Sequence, residues 1–221
     1  MLSKNKQFLF IHVVKTAGTS MREVLNPYDW AQHPNGPHAT MADYQDYLGE
    51  RAMCFFSFAF VRNPYDWMVS LYEYMRWEVD HHSHAQASQM TFPEFVEWQA
   101  VQVGTLRQTD WLYNDGARQV DFLGRFETLA ADFDRLRTLL NLRANLPHAL
   151  GSDGRGQWRE YYTPEARDIL CEVWQADFEN FGYSMELEVT PPDALPLLND
   201  TQHVHRRLGE VAQTDVAQMV G

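Results

Sequence analysis

Two short apolar runs in this sequence each lead through a polar turn directly into a helix-like segment. The first run, QFLFIHV, occupies residues 7–13, and the second, FFSFAFV, occupies residues 55–61. Continuous apolar runs of this length are typical of strands that are buried on both faces of a sheet. A buried strand followed by a helix indicates a parallel sheet, because parallel strands need a crossover connection between them.

The same alternation continues further along the chain. Residues 120–126 (VDFLGRF) have the pattern of a third strand, and the capping box TFPE at Thr91 begins a helix. Helices are also predicted for residues 21–25, 38–50, 66–79, 127–140 and 163–180. We therefore predict an α/β, P-loop-like fold of three layers, in which a mostly parallel central sheet is flanked by helices.

The acidic balance and the low cysteine count limit the classes of function. The chain has 221 residues, a formal net charge of −12 and a sequence pI of about 5.1. This balance argues against a nucleic-acid binder and against wide capture of polyanions such as heparin, because both need a positive surface. Two cysteines are too few for a disulfide framework and suit a reducing compartment. No apolar run reaches the roughly 18 residues of a membrane span, and no signal-peptide pattern is present, so we expect a cytoplasmic protein.

The turn after the first predicted strand has the composition of an anion-binding loop. It consists of Lys15, Thr16, Ala17, Gly18, Thr19 and Ser20. Gly18 lets the main chain approach a ligand closely, the start of the next helix offers N–H groups, and Lys15 adds a positive charge. The order differs from the nucleoside-triphosphatase loop GxxxxGK[ST], which this chain lacks. The alternative is an ordinary helix start that Ser and Thr hydroxyls cap, with an incidental lysine.

The turn after the second predicted strand has the composition of a phosphate clamp. Arg62 leaves the end of the strand, and Pro64 fixes the turn into the next helix. Ser70 is predicted to lie one helical turn in, so that its hydroxyl and the Arg62 guanidinium face the same ligand. The alternative is that Arg62 pairs with a nearby carboxylate and holds the turn together.

Together the two turns resemble a known family. FIHVVKTAGTS followed by FAFVRNPYDWMVSLY resembles the two signatures with which carbohydrate-type sulfotransferases, the heparan and chondroitin 2-O-like group, bind 3′-phosphoadenosine 5′-phosphosulfate (PAPS). The resemblance continues through VDFLGRFETLAADFDRL and WREYYTPEARDILCEVWQADFENFGY, and thus spans residues 7–183. It implies a small, bacterial-type sulfotransferase domain over residues 1–186. Residues 187–221 are predicted to be a C-terminal extension, with a helix as one possibility, that packs on the domain or on a partner.

The resemblance also implies roles for individual residues. The 5′-phosphosulfate would be held by Lys15, Thr16, Ala17, Gly18, Thr19 and Ser20, and the 3′-phosphate by Arg62 and Ser70. The loop around Arg155 lies where such enzymes often cover the nucleotide, and simple solvation of that loop is the alternative. The family usually has Pro where Val14 stands and often a basic residue where Trp67 stands, so the details of the nucleotide pocket are open.

The chemistry of sulfuryl transfer suggests further roles. It is similar to phosphoryl transfer, in which positioning and electrostatics carry an in-line displacement. Lys15 and the helix N-terminus would stabilise the departing phosphate, so this scheme requires no metal. The acceptor hydroxyl must lose a proton, which calls for a histidine or carboxylate base. We favour His38, whose place between the two signatures resembles that of the family's catalytic histidine; His33 is the nearer competitor, and Asp29 and Glu23 are further alternatives.

Two other functions and several acceptors stay open on the sequence. A small-molecule kinase would use a similar phosphate cradle, but it should show a Walker-type loop and Mg²⁺ carboxylates. A non-catalytic nucleotide-binding module would keep the cradle without a base. For a sulfotransferase, the resemblance implies the hydroxyl of a carbohydrate or small metabolite as acceptor. A lipid, a small alcohol or a peptide tyrosine is an alternative.

Overall fold

The chain divides into two compact units. The computed structural model describes residues 1–28, 30–102, 105, 107–143, 146, 157–187 and 197–198. The first unit is formed from Met1–Val61, Asp110–His148 and Ala194–Gly221. The second unit is formed from Arg62–Thr109 and Ala149–Asp193.

The strands of the described residues all belong to the first unit. They are β1 (Leu2–Ser3), β2 (Phe8–Ile11), β3 (Trp30–Ala31), β4 (Phe56–Val61), β5 (Tyr113–Asn114), β6 (Ala117–Arg118), β7 (Phe122–Arg125) and β8 (Leu197–Leu198). Six of them form a sheet in the order β3-β1-β2-β4-β7-β8, and β5 and β6 form a separate hairpin. The three central strands β2, β4 and β7 are parallel, whereas β1, β3 and β8 are antiparallel to their neighbours.

Helices connect these strands and make up most of the second unit. Within the described residues they are α1 (Gly18–Leu25), α2 (Met41–Leu48), α3 (Pro64–Trp77), α4 (His84–Ala87), α5 (Phe92–Ala100), α6 (Gln108–Leu112), α7 (Leu129–Leu139), α8 (Pro164–Val173) and α9 (Gln175–Phe181). Short 3₁₀ helices lie at Asn26–Tyr28, Gly49–Cys54 and Gln157–Tyr161. Within the described ranges, each helix is too short or too polar to cross a bilayer. The predicted α/β fold with a mostly parallel central sheet flanked by helices is confirmed.

Phenylalanines of the parallel strands form the core of the first unit. Six of them are completely buried: Phe8, Phe10, Phe56, Phe58, Phe60 and Phe122. The rings of Phe10 and Phe58 stack at 5.1 Å between centroids. A side chain at Gly124 would meet the Phe60 ring at 2.4 Å, so glycine allows β7 to lie close against it. Burial of every residue of β2, β4 and β7 explains why these strands read as continuous apolar runs.

A buried polar pair fixes the register of β4 and β7. The main-chain N–H and the hydroxyl of Ser57 both donate to the Asp121 carboxylate at 2.8 Å. The Asp121 N–H donates in return to the Ser57 hydroxyl at 3.1 Å. The resulting register places Val61 beside Arg125, at the carboxyl ends of the two strands. Ligands of open α/β sheets bind at this edge, so the pair positions the part of the fold that carries the candidate site.

An aromatic cluster forms the core of the second unit. The fully buried ring of Tyr65, in the first turn of α3, stacks on Trp158 with an interplanar angle of 5°. Tyr162 and Phe178 contact the same ring edge-on at 4.9 and 5.0 Å between centroids. The Tyr65 hydroxyl donates to the main-chain carbonyl of Met185 at 2.6 Å. This cluster therefore joins α3 to α9, to the segment that precedes α8 and to the segment that follows α9.

The observed boundaries correct several predictions. The helix predicted for residues 38–50 begins only at Met41, because Thr40 and Asp43 form a capping box there. The helix predicted for residues 163–180 is two helices, since the backbone leaves helical geometry at Trp174. Apolar periodicity continues through this break, so the sequence pattern does not indicate it. The two-residue strands β1, β3, β5, β6 and β8 were not predicted, because segments so short have no periodicity.

Candidate functional site

The loop between β2 and α1 has an unusual main-chain conformation. Lys15 and Ala17 both adopt left-handed backbone angles, with φ of 61° and 71°. Left-handed residues that alternate with right-handed ones turn successive N–H groups toward one side, which makes a concave anion-binding nest. Helix α1 then begins at Gly18 without a hydrogen bond from a capping side chain. The alternative of a helix start that Ser and Thr hydroxyls cap is thus wrong, and the N–H groups of the first turn lack an intrahelical partner.

The hydroxyl of Thr16 braces this loop from inside. The side chain is completely buried, and its hydroxyl donates to the main-chain carbonyl of Val13 at 2.9 Å. Thr19 is exposed, whereas Lys15 and Ser20 are half-buried. Because its side chain is buried, Thr16 could contact a ligand only through its main chain.

The imidazole of His12 packs directly against Gly18. A side chain at Gly18 would meet the His12 Nε2 at 1.5 Å, so only glycine fits at this position. The His12 ring also stacks on Phe10 at 5.8 Å between centroids and is 7% exposed. Burial, followed by the nearby charge of His38, lowers the pKa of His12 to about 3. His12 is consequently a neutral residue at neutral pH, and its role here is to shape the loop.

His38 is held at the start of this loop. Its Nδ1 lies 3.0 Å from the main-chain carbonyl of His12, and the two rings are 4.4 Å apart between centroids. A carbonyl can only accept, so the Nδ1 atom carries the proton and Nε2 presents the lone pair. The indole of Trp111 donates to the His38 carbonyl at 2.9 Å, which fixes the main chain as well. The residue is exposed, so His38 combines a fixed direction with contact with solvent.

The alternative bases lie in different surroundings. His33 is 6% exposed, and its Nδ1 accepts the N–H of Asn35 at 3.0 Å, which occupies its lone pair. It lines a cavity of about 300 Å³ together with Gln7 and Phe55, which directly precede β2 and β4. This cavity is at the amino ends of the parallel strands, opposite to the edge that carries the loop. Glu23 is exposed on α1.

In the second unit, Arg62 is paired with Asp66. The Arg62 Nε and Nη2 atoms donate to the two carboxylate oxygens at 2.7 and 2.9 Å. The side chains are 15% and 17% exposed. The alternative in which Arg62 pairs with a carboxylate is therefore realised. Because a guanidinium has five donors, a bidentate carboxylate can hold its plane while leaving the group able to bind an anion.

Ser70 and Trp67 lie further along α3. Since the helix begins at Pro64, Ser70 lies one helical turn in, and its side chain is half-buried. Trp67 is 2% exposed, so its indole belongs to the interior and does not replace a basic residue at the surface.

Gln108 is a residue that the sequence did not suggest. Its side-chain Oε1 accepts the main-chain N–H of Arg62 at 2.9 Å, and its Nε2 donates to the Arg62 carbonyl at 2.8 Å. The two residues are 46 positions apart. No local sequence motif predicts such a contact, which forms only when the second unit folds.

Some predicted residues cannot be placed. Arg155 and Asp29 lie outside the described residues. In the part of the chain that the structure describes, no group of three or more His, Cys, Asp or Glu side chains is arranged so that it could bind a metal ion.

Comparison with known proteins identifies the family. Neither the curated proteins nor the solved structures gave a match. A family model described as "Sulfotransferase family" matches residues 1–184, which is most of the chain and includes both turns. The chain belongs to the Sulfotransferase family.

Proposed function

We propose that this protein transfers a sulfuryl group from PAPS to a hydroxyl of a carbohydrate or small metabolite. Membership of the family supports sulfuryl transfer. The observation that carries the choice of donor is the loop before α1, in which two left-handed residues lead into a helix start without a side-chain cap. Such a loop suits a dianionic or trianionic group that binds through main-chain N–H groups.

The two turns divide the donor between them in this proposal. The 5′-phosphosulfate binds to the main chain of residues 15–20, and the ammonium group of Lys15 neutralises charge on the 5′-phosphate as it leaves. Arg62 binds the 3′-phosphate, with Asp66 holding the guanidinium plane, and Ser70 adds a hydroxyl donor. Arg155 is a further proposed contact to the nucleotide.

His38 is the proposed general base. The acceptor hydroxyl oxygen forms a bond to sulfur while the bond from sulfur to the 5′-phosphate oxygen breaks. The hydroxyl proton passes to the Nε2 of His38, which leaves an imidazolium whose Nδ1–H still donates to the His12 carbonyl. The products are a sulfate ester and 3′-phosphoadenosine 5′-phosphate (PAP). This step thus needs only the two substrates and residues of the chain itself.

A cytoplasmic location is part of the proposal. Neither Cys54 nor Cys171 forms a disulfide. Thiols without disulfide partners suit the reducing conditions in which cytoplasmic enzymes work.

The donor is tested by calorimetric titration with PAP and, separately, with ATP and Mg²⁺. We expect PAP to bind without any added metal, and Arg62→Ala to weaken that binding on the order of tenfold or more, since a charge-assisted contact to the 3′-phosphate is lost. ATP with Mg²⁺ should not bind. If ATP with Mg²⁺ bound and PAP did not, the sulfotransferase donor site would be refuted and a kinase activity would replace it.

A further inference from the structure

The main chain of Arg62 is held by a single buried side chain. The amide of Gln108 is completely buried, and it binds both polar main-chain groups of Arg62. It accepts from the N–H at 2.9 Å and donates to the carbonyl at 2.8 Å. This arrangement reproduces the two hydrogen bonds of an antiparallel pair at one residue. Arg62 directly follows the last residue of β4, so a side chain continues main-chain pairing where the strand has ended.

Gln108 is itself held by a buried carboxylate. Asp177 on α9 is completely buried, and its two oxygens accept the N–H groups of Gln108 and Thr109 at 2.9 and 2.8 Å. These N–H groups belong to the start of α6 and have no intrahelical partner. A buried carboxylate that accepts two N–H groups is strongly oriented, so Asp177 fixes the place from which the Gln108 side chain reaches Arg62.

We propose that Asp177 and Gln108 are positioning residues for recognition of the 3′-phosphate by Arg62. The inference rests on the proposed function, because it assumes that Arg62 binds that phosphate. Asp66 orients the guanidinium, while Gln108 fixes the main chain from which this side chain extends. With both ends held, Arg62 loses little conformational freedom when an anion binds. Asp177 and Gln108 therefore act on affinity for one phosphate of the donor and do not touch it.

This role has a signature that general support of the fold would not produce. A residue that merely stabilises the second unit should affect all ligands equally, through the fraction of folded protein. A residue that positions Arg62 should affect PAP, which has the 3′-phosphate, and spare adenosine 5′-phosphate, which lacks it. The quantity to measure is thus the ratio of the two dissociation constants.

The test uses Gln108→Met, which keeps the length of the side chain and removes both hydrogen bonds. We expect the preference for PAP over adenosine 5′-phosphate to fall on the order of tenfold, as for two lost hydrogen bonds, with binding of adenosine 5′-phosphate unchanged within about twofold. The matched control is Thr109→Val, which removes the contact of the Thr109 hydroxyl with Asn180 at 3.3 Å but keeps the main-chain contact with Asp177. This control should lower the melting temperature slightly and leave the preference intact.

A second pair of variants completes the test. Asp177→Asn keeps the shape of the side chain and weakens its hold on α6, so it should reduce the preference in the same direction even if Gln108→Met does not fold. In an Arg62→Ala background, Gln108→Met should have no further effect on the preference, because the group that it positions is absent.

The possible outcomes separate the inference from the proposed function. If the wild type prefers PAP, Arg62→Ala abolishes that preference and both Gln108→Met and Asp177→Asn retain it, the positioning role is wrong and the donor site stands. If the wild type itself does not distinguish the two nucleotides, the 3′-phosphate assignment of Arg62 is wrong, and the positioning role falls with it.

Discussion

At the scale of single residues, the direction of His38 depends on a main-chain group. Its Nδ1–H donates to the His12 carbonyl, so the basic Nε2 faces outward from an exposed side chain. His33, the competing histidine in sequence, is buried and has its lone pair engaged by Asn35. The two histidines look alike in the sequence, and their burial and hydrogen bonds distinguish them in the structure.

The variant His38→Ala tests this difference. We expect kcat to fall by about 10²–10⁴-fold, since a general base contributes this much. The dissociation constant of PAP should stay within about twofold of the wild type, because His38 does not contact the donor phosphates in the proposed arrangement. Single-turnover kinetics and calorimetry measure the two quantities, and His33→Gln is the matched control that should retain kcat. Full activity of His38→Ala would identify another base or a non-catalytic nucleotide-binding protein.

The buried His12 predicts a dependence of stability on pH. Its pKa is lowered to about 3 in the folded chain, whereas an unfolded histidine titrates near 6.5. Between these values the unfolded state binds the additional proton. The contribution of His12 to stability is therefore fully present above about pH 6.5 and is lost as the pH falls toward 3.

Thermal unfolding between pH 7 and pH 4.5 measures this effect. The wild type should lose stability more steeply than His12→Asn, with a difference in slope that corresponds to about one proton. Other titrating groups are common to both proteins and cancel in the comparison. Parallel curves would show that His12 becomes protonated in the folded state.

At the scale of elements, the loop before α1 holds strain at Ala17. This residue has a φ of 71°, a left-handed conformation that costs an L-residue roughly 1–2 kcal/mol and glycine much less. Replacing Ala17 by glycine removes most of this cost, but part of the resulting gain in stability is offset because glycine has more freedom in the unfolded chain. Ala17→Gly should therefore raise the melting temperature by about 1–3 °C.

The same substitution should have the opposite effect on stability in a right-handed helix. Ala131 is exposed within α7, where glycine costs about 0.5–1 kcal/mol relative to alanine. Ala131→Gly is the matched control and should lower the melting temperature by a similar amount. Calorimetric scans of both variants decide the matter: a decrease for Ala17→Gly would mean that the left-handed conformation is not strained.

The elements differ in how far the sequence could predict them. The buried strands β2, β4 and β7 were predicted within two residues at each end, because an apolar run between polar turns is a local signal. The break between α8 and α9 was missed. Asp177, whose carboxylate faces the start of α6, becomes a recognisable polar core residue only once segments 69 positions apart have folded together.

The candidate site shows the same division. Lys15, Gly18 and Arg62 stand in turns whose composition alone suggests anion binding. Gln108 was not predicted, because its contact with Arg62 depends on tertiary structure. The left-handed angles at Lys15 and Ala17 were also out of reach, since both residues ordinarily prefer right-handed geometry.

At the scale of the whole molecule, net charge limits the acceptors. The chain carries a formal charge of −12, which repels long polyanions at moderate ionic strength even if one loop is locally positive. We expect the protein not to be retained on immobilised heparin at about 0.1 M salt and to be retained on an anion-exchange resin at low salt. Retention on heparin that free heparin reverses would instead indicate a basic groove and favour a sulfated polysaccharide as acceptor.

The chain passes more than once between its two compact units. The first unit takes three separate stretches of the sequence, and the second takes two. Arg62 is the first residue of the second unit and immediately follows the last residue of the central strand β4. The sequence pattern predicted the sheet of the first unit. It did not predict that the stretches Arg62–Thr109 and Ala149–Asp193 form a unit of their own, because their association depends on contacts between distant parts of the sequence.

The hydrogen bond between His38 and the carbonyl of residue 12 has a consequence for how this enzyme can evolve. Every amino acid offers the same carbonyl, so the tautomer of His38 survives any exchange of the side chain at position 12. Descendants can therefore vary the packing against Gly18 without rebuilding the proposed base. Enzymes that orient a histidine through an aspartate lack this freedom, because the orienting group there is the side chain itself. Positions 12 and 18 are consequently a natural pair to randomise in a library that seeks new donors or acceptors.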